Sequence, residues 1–337
     1  MSDVGNAAAS PHSPALSQDA HAQNCRCCGS DRVTSRGRKR GAFLPREFEF
    51  HGCADCGFLT VEPFSGFEIY NDAYYRGAGP DPYVDYEAEY YAWRTSDRML
   101  EFEDLRRIAA RHLGSSPANP RDSKPRHVRW LDFGCGAGAF LKYLRSEPLF
   151  HDASLELTGH DVGSYADLLK TKDGFRILNL DELGREPAER FDVISMIEVI
   201  EHLPAPLEPL QLVARLLKPG GLLLLTTGNM ESPVARRQGI HYRYCAPEIH
   251  VSLFNPRCLA QLYQRVGLTP RFVSYDGVVK FKVLKSLRHR PVLRALAGNS
   301  LKLPVFVRAV DRLYGVSAMP CAVKSQISNP STPLRSQ

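Results

Sequence analysis

Three groups of residues have the types and spacing for chemistry. The first is a pair of cysteine motifs, Cys25-x-x-Cys28 and Cys53-x-x-Cys56, with 24 residues between them and a glycine, Gly29 or Gly57, after each. In a reduced compartment two such pairs fit a tetrahedral four-thiolate Zn²⁺ site, and four protein ligands leave no open position, so the zinc is expected to be structural. Cys27 offers a C-x-C alternative, but the symmetry of the two pairs favours Cys28. The second group is "LDFGCGAG", in which Asp132 precedes Gly134, Gly136 and Gly138 at the end of an apolar run. Glycines there let backbone N–H groups approach a ligand closely, and the candidates are a nucleotide pyrophosphate, S-adenosylmethionine or a bare tight turn. A carboxylate at Asp132 repels a pyrophosphate and suits an ammonium. Asp161, in "LTGHDVG", can accept both hydroxyls of a ribose. Two acids around a glycine turn suit S-adenosylmethionine. The third group is histidine-bearing: "EVIEHLP" carries His202, and "GIHYRYCAPEIHVSLF" carries His241 and His250.

The elements that position these groups follow from composition and periodicity. Residues 1–23 are Ala/Ser/Pro-rich and read as a disordered leader; 24–62 hold five of the nine cysteines and read as a zinc-binding module. Residues 63–127 form a tyrosine-rich helical segment and linker, with the spacing over 84–113 predicting one long helix. From 128 to 325 apolar runs alternate with amphipathic stretches. "VRWLDF", "LELTGHD", "FRIL", "FDVISMI", "GLLLLTT" and "PRFVSYD" read as strands, with helices such as "AGAFLKYLRS" and "PRCLAQLYQRV" between most of them; "PCAVKSQ" is a candidate final strand. Residues 326–337 read as a disordered tail. The alternation predicts an α/β fold: a doubly wound, mostly parallel, Rossmann-like sheet with a small N-terminal zinc ribbon-like module. At 43% apolar and 24% charged residues the composition is that of a globular protein, no apolar run reaches a membrane-spanning length, and no secretory signal is visible, so the expected location is cytoplasmic. The net charge of +6 is local: residues 278–317 hold nine Lys/Arg against one acid, Asp311. That basic insert is a candidate for peripheral membrane contact, for a phosphorylated substrate, or for an ordinary lid or dimer face.

Over roughly 128–275, "LDFGCGAG", "GHDVG" and "FDVISMIEVIEHLPAPLEPLQLVARLLKPGGLLLLTTGN" together resemble the class I S-adenosylmethionine-dependent methyltransferases in order and spacing. The resemblance implies that Gly134, Gly136 and Gly138 approach the methionine part, that Asp132 lies near its amino group and that Asp161 holds the ribose. It also implies that Leu180 packs on adenine and that Ile197 offers backbone beside the sulfonium. A zinc module, a tyrosine-rich segment and such a domain in series look like the sugar C-methyltransferases and relatives, although those carry a further sizeable C-terminal domain that this chain lacks the length for. In that picture Tyr70, Tyr74, Tyr75, Tyr83, Tyr86, Tyr90 and Tyr91 close over the substrate.

Methyl transfer requires alignment of the acceptor and removal of a proton. His202 and His250 are the candidate bases or acceptor-positioning groups. Glu198-x-x-Glu201-His202 also resembles the Mg²⁺-binding segment of the quinone-pathway O-methyltransferases and of the enzymes that methylate the terminal 2′-hydroxyl of small RNAs, with His241 or His250 as the later histidine. Three functions follow. The lead is methyl transfer to a small-molecule acceptor (a nucleotide-sugar, glycan or biosynthetic intermediate). The alternatives are a metal-dependent RNA 2′-O-methyltransferase, which no aromatic–basic recognition pattern demands, and a non-catalytic cofactor-binding scaffold.

Overall fold

The computed structural model describes residues 24–80, 85–96, 98–114, 127–149, 153–273, 295 and 319–324. The expected leader, Tyr83, the basic insert apart from Ala295, and the expected tail lie outside the described residues.

A central sheet of seven strands is ordered β10-β11-β8-β7-β4-β5-β6. Five of these are parallel neighbours: β4 (His127–Phe133), β5 (Ser154–His160), β6 (Arg176–Leu178), β7 (Phe191–Ile197) and β8 (Leu217–Thr226). Their near-continuous apolar sequences reflect burial on both faces. Alternation along the strands sorts the side chains into two layers. Leu131, Ile194, Met196 and Leu223 pack on one face with α6 (Leu207–Leu216) and α8 (Pro256–Arg265). Trp130, Val193, Leu222 and Leu224 pack on the other with α2 (Met99–Gly114) and α3 (Ala139–Ser146). The "PCAVKSQ" candidate returns as β11 (Met319–Lys324), antiparallel to β8 and to β10 (Leu268–Val273). The remaining helices are α1 (Tyr86–Ala92), α4 (Tyr165–Thr171), α5 (Leu180–Arg185) and α7 (Pro233–Gln238).

The long helix expected over 84–113 is broken. α1 starts on an Asp85 side-chain cap, Trp93–Thr95 form a 3₁₀ turn, Ser96 is extended, and α2 begins at Met99. The Thr95 hydroxyl donates to the Ala92 carbonyl at 2.8 Å, the local competition by which Ser and Thr interrupt helices, and the break lets Trp93 enter the core.

The cysteine-bearing segment forms an antiparallel sheet of β1 (Val33–Arg40), β2 (Glu47–Cys53) and β3 (Leu59–Glu62), whose fourth strand, β9 (Ser252–Leu253), comes from the far end of the chain. Leu59 pairs with Leu253 and Thr60 with Ser252, and Phe58 packs on Phe254 with ring centroids 5.1 Å apart. Its core is therefore continuous with one face of the central sheet, where Cys25, Cys27, Cys53, Cys56 and Phe58 join Phe254, Cys258 and Leu259.

Candidate active site

A cleft of about 2690 Å³ runs along the carboxyl ends of β4, β5 and β7 and continues to the β1–β3 sheet, where Arg26, Arg38 and His51 line it. It is several times the ~300–1,000 Å³ of an ordinary ligand pocket, which leaves room for two molecules side by side.

Its inner end is built on the glycine turn. Gly134 and Gly136 line the cleft with φ of 77° and 53°, the left-handed region that glycine adopts without strain. The Gly134 and Cys135 amides donate to the His160 carbonyl at 2.7 and 2.9 Å, which locks the turn to β5. Space is tight: a Cβ on Gly136 would stand 2.6 Å from the Tyr86 ring, so Tyr86 roofs the turn. Gly138 faces the other way. It caps α3, and its missing Cβ makes room for the Leu169 side chain of α4.

The two acids differ. Asp161, at the end of β5, accepts from the Gly136 amide at 2.7 Å on one oxygen and from the Gly163 amide at 2.7 Å on the other, so backbone alone fixes its orientation. Asp132 is buried, accepts from the Ser195 hydroxyl at 2.6 Å, and Ser195 in turn accepts from the Trp130 indole at 2.9 Å. Burial outweighs the Ser195 hydrogen bond and pushes Asp132 up to about 7. Leu180, 49% exposed, opens α5 behind an Asn179–Glu182 capping box and lines the cleft; Ile197, buried at the end of β7, lines it too.

The second end gathers residues far apart in sequence. Glu198, just past β7, has φ 54°, a strained conformation for a non-glycine residue that turns the chain sharply into "IEHLP". The His202 Nδ1 lies 3.0 Å from the Ile249 carbonyl and 2.9 Å from the Tyr70 hydroxyl. A carbonyl only accepts, so Nδ1 carries the hydrogen and Nε2 the lone pair. Burial, with His250 adding to it, pushes His202 below its usual range and keeps it neutral. His250 stands behind it, ring centroids 4.9 Å apart, its Nδ1 2.6 Å from the Tyr244 carbonyl. Glu201 is fully buried, accepts from Tyr244 at 2.6 Å and Thr227 at 2.9 Å, and is pushed up to about 7 chiefly by burial and then by Glu198. Ligand atoms of Glu201, His202 and His250 lie within 4.8 Å of one another, whereas His241 is no part of that group. Sequence reading placed Tyr70 among the tyrosines closing over the substrate but gave no sign of its contact with His202 or of Tyr244 and Thr227 beside Glu201, contacts that no local motif reveals.

The four paired cysteines converge. Ligand atoms of Cys25, Cys28, Cys53 and Cys56 lie within 4.8 Å of one another, with Cys25–Cys56 and Cys28–Cys53 sulfur distances of 3.5 and 3.6 Å. Four thiolates on one Zn²⁺ at ~2.3 Å stand roughly 3.8 Å apart, so the cluster fits the ion with little adjustment. Cys27 is not part of this cluster; its thiol donates to the Cys258 carbonyl at 3.2 Å. The knuckle also reaches the cleft: Arg26, between Cys25 and Cys27, pairs with Glu62 at 2.7 Å and donates to the Pro204 carbonyl at 3.2 Å, in the loop that carries His202. Among the described residues no helix is long and apolar enough to cross a membrane.

A family described as "Methyltransferase domain" matches residues 98–271. The ubiquinone biosynthesis O-methyltransferase of Coxiella burnetii (strain Dugway 5J108-111) is 36% identical over 113 residues, covering 32% of this chain and 45% of that protein. The protein of the same description from Caulobacter sp. (strain K31) is 34% identical over 137 residues, covering 36% of this chain and 51% of that one. The chain thus spans about half the length of the curated relatives it matches. Among solved structures, a SAM-dependent methyltransferase from Archaeoglobus fulgidus aligns with a TM-score of 0.39 at 17% identity, covering 67% of this chain and 96% of that one.

Proposed function

The chain belongs to the class I S-adenosylmethionine-dependent methyltransferases, and from that premise we propose that it methylates a hydroxyl on a small-molecule acceptor. The observation that carries this reading is a neutral His202, its Nε2 lone pair available, in the same cleft as Gly134, Gly136 and Asp161. S-Adenosylmethionine supplies an electrophilic methyl group. The chain's own residues do the rest: the glycine turn, Asp132 and Asp161 would hold the cofactor, Leu180 would pack on its adenine, and Ile197 would offer backbone at its sulfonium end. His202 takes the acceptor's proton as the methyl–sulfur bond breaks and the methyl–oxygen bond forms, leaving S-adenosylhomocysteine. Tyr70 and His250 orient the imidazole. Relatives described as ubiquinone biosynthesis O-methyltransferases support a phenolic acceptor over a nucleotide-sugar, glycan or RNA. Cys25, Cys28, Cys53 and Cys56 hold a structural Zn²⁺ in the 24–62 module, which walls the acceptor side of the cleft.

A second reading rests on Glu201, His202 and His250. Both imidazoles turn Nδ1 toward a backbone carbonyl, the arrangement that presents Nε2 to a metal, and Glu201 adds a carboxylate. When bound, a divalent cation there would acidify the acceptor hydroxyl. Two imidazoles suit Mn²⁺ or Zn²⁺ better than Mg²⁺. Transfer of labelled methyl to a panel of catechols and other phenols, with and without EDTA, tests both readings. Transfer insensitive to EDTA leaves His202 acting alone, transfer restored by Mn²⁺ supports the cation, and no labelled phenol under any condition contradicts the proposed acceptor.

A further inference from the structure

Two of the tyrosines expected to close over the substrate stand apart from the others. Tyr70, Tyr74, Tyr75 and Tyr86 line the large cleft, whereas Tyr90 and Tyr91 line a separate cavity of about 490 Å³ at the other end of α1, where the Trp93–Thr95 turn meets α3. That volume is within the ~300–1,000 Å³ range of small-molecule sites. Its charges do not balance. Lys142, Arg94 and Arg145 share the cavity with one acid, Asp173. Lys142 is only 7% exposed; its ammonium donates to the Tyr90 carbonyl at 3.0 Å and lies 3.3 Å from the Asp173 carboxylate. Burial, partly offset by Asp173, pushes Lys142 below its usual range, and Arg145 adds to the shift. The two arginines are exposed, and among the described residues no carboxylate lies within ion-pair distance of either. An anion among the three cations would remove both the repulsion and the burial penalty.

The arrangement is held in place before any ligand arrives. Arg94 lies over the Trp93 ring and Arg145 over the Phe175 ring, 4.4 and 4.1 Å from the centroids, and Arg145 Nη1 donates to the Asp173 carbonyl at 2.7 Å. Rings that fix the guanidinium planes leave N–H edges for a phosphate, whose oxygens match that planar fork. Tyr91, 69% exposed and edge-on to Tyr90 with centroids 5.0 Å apart, offers an open ring face. Asp173 Oδ2 is buried without a hydrogen-bond partner among the described residues, so the cavity also holds an unspent acceptor. A phosphate, a flat ring and a hydroxyl donor in one molecule of this size are what a nucleoside monophosphate carries. We propose that this cavity binds a nucleoside monophosphate, with its phosphate against Arg94, Arg145 and Lys142, its base on the Tyr91 ring and a ribose hydroxyl donating to Asp173. The site is separate from the cleft and does not depend on what the cleft holds.

The test is calorimetric titration of the full-length, zinc-replete protein at low salt with the ribonucleoside monophosphates AMP, GMP, CMP and UMP, and with adenosine and inorganic phosphate. At least one nucleotide is expected to bind once per chain, with adenosine and phosphate each weaker by about tenfold or more. Excess S-adenosylhomocysteine should leave that affinity within about twofold, since the two cavities are distinct. The double variant Arg94→Gln with Arg145→Gln should keep its melting temperature, because both side chains are exposed, and lose roughly 30-fold in nucleotide affinity. Tyr91→Ala, also at an exposed position, should lose about tenfold for the nucleotide while phosphate stays within about twofold; it carries the test by itself should the double variant not fold. No nucleotide bound at millimolar concentration, displacement by S-adenosylhomocysteine, or full nucleotide affinity in the double variant overturns the site. Phosphate bound as tightly as every nucleotide, or full affinity in Tyr91→Ala, overturns the nucleotide in favour of a bare anion.

Discussion

The two ends of the cleft are built by opposite means. The inner end relies on backbone: a glycine turn locked to the His160 carbonyl, and an Asp161 whose oxygens are both fixed by amides. Its geometry is local and rigid. The other end relies on side chains from four separate segments, with Tyr70, Glu201, His202, Thr227, Tyr244 and His250 linked by hydrogen bonds and ring contacts. Its groups have shifted pKa values that suit proton movement, a neutral His202 and a Glu201 poised near 7. Under the proposed function, binding and chemistry fall to these different architectures, and they should come apart under mutation.

The largest separation is expected at His202. His202→Ala should lower methyl transfer by roughly 10²- to 10⁴-fold while S-adenosylhomocysteine affinity stays within about threefold, measured by labelled transfer and calorimetry on the same preparation. A parallel loss of binding would merge the two ends. Asp161→Ala should do the reverse. Losing a carboxylate that accepts from two hydroxyls costs about 3 kcal/mol, close to 100-fold in cofactor affinity.

A smaller effect is set by pH. Asp132 is held near 7 by burial, and an ammonium beside it favours the charged form, so cofactor binding below that pH requires proton release. Affinity should therefore rise with pH, by at most tenfold per unit below about 7, and level off above it. Asp132→Asn should flatten the profile; an unchanged slope in that variant would place the titrating group elsewhere. The smallest effect on the inner end is expected from the cysteine cluster. Cys53→Ser should abolish stoichiometric zinc and lower the melting temperature by about 10 °C, because loss of a structural metal removes several kcal/mol. Cofactor affinity should stay within about threefold while transfer is lost, since Arg26 and β9 tie the module to the His202 loop.

The same contrast explains what could be read from the chain. The glycine turn, Asp132, Asp161 and the parallel sheet are contiguous patterns: apolar runs, a turn signal and an acid at a strand end. The cysteine pairs were legible for the same reason, and it is Cys28, the partner that symmetry favours, that clusters with Cys25, Cys53 and Cys56. The Tyr70–His202 and Glu201–Tyr244 contacts span 132 and 43 residues and exist only after folding. Periodicity over 84–113 concealed the helix break, because Thr95 and Ser96 are also found within helices and neither the Thr95–Ala92 hydrogen bond nor the burial of Trp93 leaves a mark in the apolar spacing. The role of β9 in completing the cysteine-bearing sheet was likewise invisible, since two residues carry no pattern.

The central claim is that the glycine turn and its two acids bind a methyl donor. Calorimetric titration of the folded wild-type protein with S-adenosylhomocysteine at pH 8, where Asp132 is charged, tests it most directly. One site per chain with an affinity that weakens as the pH is lowered to 6 is the result expected. A protein that is folded and zinc-loaded yet releases no heat and shows no thermal stabilisation with this ligand would contradict it.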